Sequence, residues 1–294
     1  GKSNFLELFS EIFYYLELFH LSSVSESEKR GDNIGFEIEY ILFLKKEIAH
    51  ELGVIVNDNA YFHIRIIKKL KGFPEFPEFP EFSLKELNAQ SEFDRIDNNT
   101  HHLLPTKVIA YTSGQNELLS NPYYKLKYYY FKDIESKNQK LDLIENHRLF
   151  FLDYSTNFSL FVANMLLANP QKLGYLKSIL KINDLQAFRI TLNTEDLFKS
   201  VIPFNDSLAK KLKKLKQCAT SWIEKKVGKN NLLILDFLVN DATKEAFEYH
   251  FNSAFELFQC FYELEIFNLY LVNKKTRDLM LRVHKTYNFI DEMP

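Results

Sequence analysis

Cysteine is scarce in this chain: Cys218 and Cys260 are the only two among 294 residues. They lie far apart in sequence and form no CxxC or Cys/His zinc spacing, which excludes a disulfide framework or zinc module and suits two core thiols in a reducing compartment. Long apolar runs are missing as well, since charged or polar residues break every such stretch within about ten positions, so no membrane span is expected. Nor does one sign of charge dominate. Lys and Arg total 37 against 39 Asp and Glu, a net charge of −2, so no global basic field points to nucleic acid and any such contact has to be local. GxSxG, HExxH and paired Cys/His arrangements are absent, leaving hydrolase or protease chemistry of those kinds without support. With no signal peptide visible, a cytoplasmic protein is expected.

What is present begins at the first residue. Gly1-Lys2-Ser3-Asn4 matches the end of a phosphate-binding loop, GxxxxGK[ST], and runs directly into a helical pattern. Phe5, Leu6, Leu8, Phe9, Ile12, Phe13, Leu16 and Phe19 recur at helical spacing, with Glu7, Ser10, Glu11 and Glu17 opposite. In such a loop backbone amides cradle the phosphates, the lysine reaches the β- and γ-phosphates, and the hydroxyl coordinates Mg²⁺ at a helix N-terminus that favours anions. Lys2 and Ser3 take those two roles, with Gly1 and Asn4 beside them. The competing reading is a tag glycine before an ordinary surface helix.

Farther on, 46% hydrophobic content supports a real core in one large or two ordinary domains. Ser22–Asn33 reads as a solvated loop, and strands are predicted near 35–43 and 62–67, an antiparallel subsheet rather than a βαβ return. Phe73–Phe82 repeats Phe-Pro-Glu three times; proline at every third position forbids a helix or a central strand, so a loop or polyproline II segment is expected, most simply a loop lengthened by repeat expansion. A short strand over 103–111 delivers Thr112-Ser113-Gly114-Gln115. Helices are predicted at about 116–136, 156–168, 171–181, 206–226 and 242–272, separated by strands at 148–154, 188–192 and 232–237.

Several motifs bear on chemistry. A P-loop ATPase needs an apolar strand ending in an acid that holds Mg²⁺. Phe150-Phe151-Leu152-Asp153 and Leu233-Ile234-Leu235-Asp236 offer half of this, but Tyr154 and Phe237 stand where the catalytic Glu belongs, and an Asp capping the next element is the simpler account of each. The Asp291-Glu292 pair lacks the strand. Thr112–Gln115 reads as a Q-loop that brings Gln115 to Mg²⁺ and the attacking water, as an ABC-type signature, or as a plain turn with Ser113 as N-cap. Lys210, Lys211, Lys213, Lys214 and Lys216, with Lys225 and Lys226, form a basic helix over 210–226 that reads either as a solvated face or as a DNA contact. His101-His102 is read as extended, its side chains pointing apart, with no metal assigned.

Taken together, Gly1-Lys2-Ser3-Asn4-Phe5-Leu6-Glu7 and Lys107–Leu119, above all Tyr111-Thr112-Ser113-Gly114-Gln115-Asn116-Glu117, resemble the restriction-system-associated AAA-family ATPases, which look like SMC- and ABC-type heads with a helical insertion. The resemblance implies ATP and Mg as cofactors, held by Gly1, Lys2, Ser3 and Asn4 with Ser3 on the metal, and Gln115 in a catalytic Q-loop. It further implies hydrolysis in a homodimer of heads, in a restriction or phage-defence system acting with DNA and restriction-system proteins. The fold implied is a mixed α/β P-loop ATPase head truncated at both ends, with a nucleotide-side lobe over 1–115 and a helix-rich insertion over 116–294. The front of the loop is expected before Gly1 and the signature and Asp-Glu strand after Pro294, so the piece is expected to be inactive alone. The rival reading is a non-enzymatic helical interaction protein, and a third is DNA binding through 210–226 without nucleotide.

Overall fold

A computed structural model of the chain describes residues 2–21, 24–31, 33–70, 79–87, 92–112, 117–135, 148–154, 156–194, 206–228 and 230–266. The fold is mixed α/β with antiparallel sheets. It divides into two compact units, the first made of residues 1–111, 115–129 and 146–151, the second of 112–114, 130–145 and 152–294.

The first unit is built around one helix. Helix α1 (Lys2–His20) leads to a short α2 (Glu26–Arg30), then β1 (Phe36–Leu44), α3 (Lys46–Glu51), β2 (Ala60–Lys68), β3 (Glu81–Glu86) and β4 (Asp94–Ile96). The four strands form an antiparallel meander in the order β1-β2-β3-β4. Its register puts Ile38 opposite Ile66, Tyr40 opposite Ile64 and Leu42 opposite Phe62, with Phe82 beyond Ile66 and Leu84 beyond Ile64, so period-two alternation delivers one apolar face. The other face carries charge: Glu37 and Glu39 flank Arg65, and His63 Nε2 lies 3.0 Å from Glu39.

Against the apolar face lies α1, through Phe13 on Tyr40, Tyr15 on Phe36 and Phe19 on Phe82. Its second half is enclosed all round. Ser10 and Glu17, expected on a solvated face, are buried along with Ile12, Phe13, Leu16 and Leu18, because a second layer covers the polar side. That layer comprises β5 (Val108–Tyr111), α4 (Glu117–Glu135, here through Tyr129) and the start of β6 (Leu149–Leu152), with β5 paired to β6. Arg148 Nη1 donates to Glu17 Oε2 at 3.4 Å, an ion pair with little solvent access on either side chain. Burial on this scale is tolerable for a carboxylate only with such a partner. Tyr15 donates its hydroxyl to Lys29 O at 2.6 Å, and burial pushes that phenol's pKa up.

The second unit holds α5 (Asn157–Leu167), α6 (Pro170–Leu180), β7 (Ala187–Asn193), α7 (Asp206–Cys218), β8 (Ser221–Val227), β9 (Asn230–Leu238), α8 (Asp241–His250) and α9 (Ala254–Ile266). Its antiparallel sheet has the order β7-β9-β8. Phe188 stacks on Phe237 at 4.4 Å, Phe247 closes over Phe237, and Leu257, Phe258 and Tyr262 complete the core.

Four expectations are corrected. The helix read over 206–226 ends at Cys218, and 221–227 is strand β8, whose Trp222, Ile223 and Val227 pair in register with Leu235, Ile234 and Asn230; β-branched and aromatic residues override the lysine pattern. The helix read over 242–272 breaks after His250, where Ser253 Oγ accepts from Glu256 N and starts a new one. The loop read over 22–33 contains α2, held by a Ser25/Glu28 capping box. His101 and His102 sit in a 3-10 turn (Thr100–Leu103) with ring centroids 3.9 Å apart, not on an extended chain. Of the Phe-Pro-Glu repeat, residues 71–78 lie outside the described set, and β3 begins at Glu81, directly after the last proline.

Two outcomes follow from α1's surroundings. Gly31 caps α2 at φ +55°, and a Cβ there would come within 2.3 Å of the Tyr15 ring. Gly31→Ala is expected to lower stability by about 2 kcal/mol or more, from left-handed strain and the clash together, read as a shift of the urea midpoint. His20 Nε2 is buried with no hydrogen-bond partner, and desolvation, reinforced by Arg148, His101 and Lys29, lowers the ring's pKa to about 3. Burial and the neighbouring His102 bring His101 to about 4. Both folded values lie below the ordinary 6.5, so their contribution is intact above pH 6.5 and drains away as pH falls toward 4. The denaturation midpoint is expected to drop with a linkage of up to two protons over that window, and His20→Phe to remove one of them.

Candidate functional site

Helix α1 starts at Lys2, and no acidic residue occupies its first turn, although an isolated exposed N-terminus favours one. Helix α4 lies beside it and runs the same way. Ser10 meets the Tyr123 hydroxyl, Glu11 feels Lys125, and Tyr14 hydrogen-bonds Tyr129 with the Lys125 ammonium 5.8 Å from its ring. Going up α1 from Ser10 to Tyr14 thus means going up α4 from Tyr123 to Tyr129. Back from these contacts, Lys2 is eight residues or ~12 Å below Ser10, and Glu117 six residues or ~9 Å below Tyr123, at 1.5 Å per residue. Both helices therefore begin toward one end of the first unit, with Pro122 inside α4 setting a kink between its start and Tyr123. Strand β5 ends at Tyr111, six residues before α4 begins.

The expected site residues fall as follows. Lys2 and Ser3 lie in the first turn of α1 and Asn4 is exposed beside them. Gly1, Ser113, Gly114, Gln115 and Asp291-Glu292 lie outside the described residues. Thr112 is the last described residue before Ser113. The first half of α1 keeps an apolar face open, with Phe5 62% exposed and Leu6, Leu8 and Phe9 also solvent-accessible, in contrast to the enclosed second half.

Neither strand-end aspartate is arranged as a metal ligand. Asp153 folds back on the next helix: Thr156 N donates to its Oδ1 at 3.2 Å, and Thr156 Oγ1 donates to its carbonyl at 3.1 Å. Asp236 sits within β9, where Arg189 grips both its oxygens at 2.6 and 3.0 Å and holds its pKa down. Among the described residues no group of three or more His, Cys, Asp or Glu is placed to hold a metal ion.

The basic stretch is also differently built from the expectation. Lys211 pairs with the buried Glu263, Lys214 with Glu256 at 3.7 Å, and Lys216 with Glu224 at 3.0 Å while lying 4.2 Å from the Trp222 ring. Lys225 and Lys226 stand on β8 rather than on α7. Most of the run's charge along α7 is thus matched internally, leaving Lys210 and Lys213 exposed. Cys218 and Cys260 are buried free thiols whose pKa burial raises to about 12, so neither serves as a nucleophile. No helix among the described residues is long and apolar enough to cross a membrane.

No protein-family model matches the chain, and neither curated proteins nor solved structures give a match. The functional reading therefore rests on residues and geometry.

Asp153→Ala is expected to cost about 1 kcal/mol of stability through the lost bond to Thr156 N, with any response of the chain to Mg²⁺ and nucleotide unchanged. Thermal melts with nucleotide titrations on the variant distinguish this from a metal ligand, whose loss would remove the Mg dependence.

Proposed function

We propose that the shared start of α1 and α4 binds ATP and Mg²⁺, with Lys2 on the phosphates and Ser3 on the metal, as the tail of a phosphate-binding loop. In the intact protein the site hydrolyses ATP, with Gln115 orienting water or metal, in a homodimer of P-loop heads that serves a DNA restriction or phage-defence system. The observation that carries this reading is the parallel course of α1 and α4. The two blocks read from sequence, Gly-Lys-Ser-Asn and Thr-Ser-Gly-Gln, are about 110 residues apart in the chain, and each immediately precedes or opens a helix whose start lies at the same end of the unit. Two helix N-termini toward one end of the unit concentrate positive potential where phosphates would sit. The absence of an acid in α1's first turn suits the same use.

A second reading, a non-enzymatic interaction protein, draws on α6, which buries none of its residues and exposes Tyr175, Ile179 and Leu180 on the second unit. The two readings separate on nucleotide binding by the full reading frame, measured with a fluorescent ATP analogue. Saturable binding that needs Mg²⁺ is expected, with Lys2→Ala weakening it at least about tenfold, the loss of a charge-assisted phosphate contact. Binding that is absent, or indifferent to Lys2→Ala, replaces the ATPase reading with the interaction reading.

A further inference from the structure

Strand β7 forms one edge of the second unit's sheet, and its hydrogen-bond phase is fixed at both ends. Val239 N donates to Gln186 O at 2.8 Å and Thr194 N to Asn231 O at 2.7 Å. In an antiparallel ladder, bonded pairs alternate, so even-numbered residues from 186 to 194 spend their backbone groups on β9 while Arg189 and Thr191 turn theirs outward. Among the described residues no strand lies on that side. A cavity of about 200 Å³ does, and five consecutive residues of β7, 188 to 192, line it. A cavity over one face of a strand would meet alternate residues only; one that meets five in succession runs along the edge. Its walls are apolar, Phe158 and Val162 from α5 and Phe261 and Leu264 from α9.

We propose that this groove is a strand-addition site, in which an extended peptide from another protein pairs with the outward amides and carbonyls of Arg189 and Thr191 and buries alternate apolar side chains between α5 and α9. The volume is below the usual range for a small-molecule pocket, whereas a row of outward donors and acceptors beside apolar walls is the complement of a β-strand. Charge complementarity points to a segment without acidic residues, since Arg189 is already matched by Asp236 and the other charged group at the groove, Glu265, which accepts from Ser159 Oγ at 3.1 Å, is a carboxylate. The partner sequence is accordingly an alternation of branched apolar and small polar residues. A second copy of the chain is a poorer occupant. Its exposed edge strand β8 would pair with β7 head to tail, a contact that need not close.

The test uses the full chain and a fluorescein-labelled Val-Thr-Val-Thr-Val-Thr peptide with blocked ends, followed by anisotropy. Saturable binding is expected, lost when the alternate peptide nitrogens of one phase are methylated and kept when those of the other phase, which point away from β7, are. Thr191→Pro removes an outward amide that no internal bond uses, a change an edge strand accommodates, and is expected to weaken binding at least about tenfold. Phe158→Asp, at a position 59% exposed and therefore compatible with folding, is expected to do the same, and it carries the test should the proline variant fail to fold. Absence of saturation up to about 1 mM, where a specific site would no longer be meaningful, overturns the proposal. So does binding unchanged in Phe158→Asp, or self-association of the chain that occupies the groove in place of the peptide. Nucleotide binding at the first unit is unaffected by either variant, so this outcome is read separately from the ATPase assignment.

Discussion

The first unit depends on α1 being covered from two sides. A helix with one apolar stripe needs one neighbour; α1 has Phe13, Tyr15 and Phe19 on the four-stranded sheet and Ser10, Tyr14 and Glu17 on the layer made by α4 and the β5–β6 pair. Burying polar groups in the second contact is costly unless each finds a partner, and each does: a tyrosine hydroxyl for Ser10, a second tyrosine for Tyr14, a guanidinium for Glu17. These partners are directional, so they fix how α4 lies along α1, and with it which ends of the two helices coincide. The electrostatics of the candidate site is in this sense a product of hydrogen bonds more than two turns away from it.

Much of the fold was legible in the residues. Alternation near 35–43 and 62–67 marked the strands found at Phe36–Leu44 and Ala60–Lys68, and the apolar runs over 148–154 and 232–237 marked those at Leu149–Leu152 and Asn230–Leu238. The failures share a cause. Ser221–Val227 carries Lys225 and Lys226 directly after a lysine-rich helix, and charge periodicity concealed a strand whose order comes from its partner β9. Glu17 and Ser10 look like a solvent face because helical period reports polarity, not whether a polar residue has a partner on another element 131 or 113 residues away. The His101–His102 turn was missed for a similar reason: no local signal distinguishes a 3-10 turn from extended chain there, and Asn99, at φ +54°, sets the bend.

For the candidate site, the sequence supplied residue types and the fold supplied their relation. Nothing in a one-dimensional reading says that the helix after Gln115 runs parallel to the helix after Gly1; that follows from Tyr123, Lys125 and Tyr129 all facing α1. Conversely the two aspartates that sequence offered as metal ligands are explained by the partners they hold, Thr156 at the start of the next helix for one and Arg189 on the neighbouring strand for the other. The lysine run along α7 has a comparable resolution, because its acidic partners come from other elements of the second unit, Glu224 from β8 and Glu256 and Glu263 from α9.

The double covering of α1 also sets an order of events during synthesis. The meander strands that shield one side are complete by Ile96, whereas Tyr123 and Arg148, which satisfy the polar side, are made later. At about 5–20 residues per second, Glu17 waits on the order of ten seconds for its guanidinium. Only over the stretch from Ile96 to Arg148 can the sheet cover the apolar side while Glu17 still lacks its guanidinium, and over that stretch the carboxylate side must stay wet.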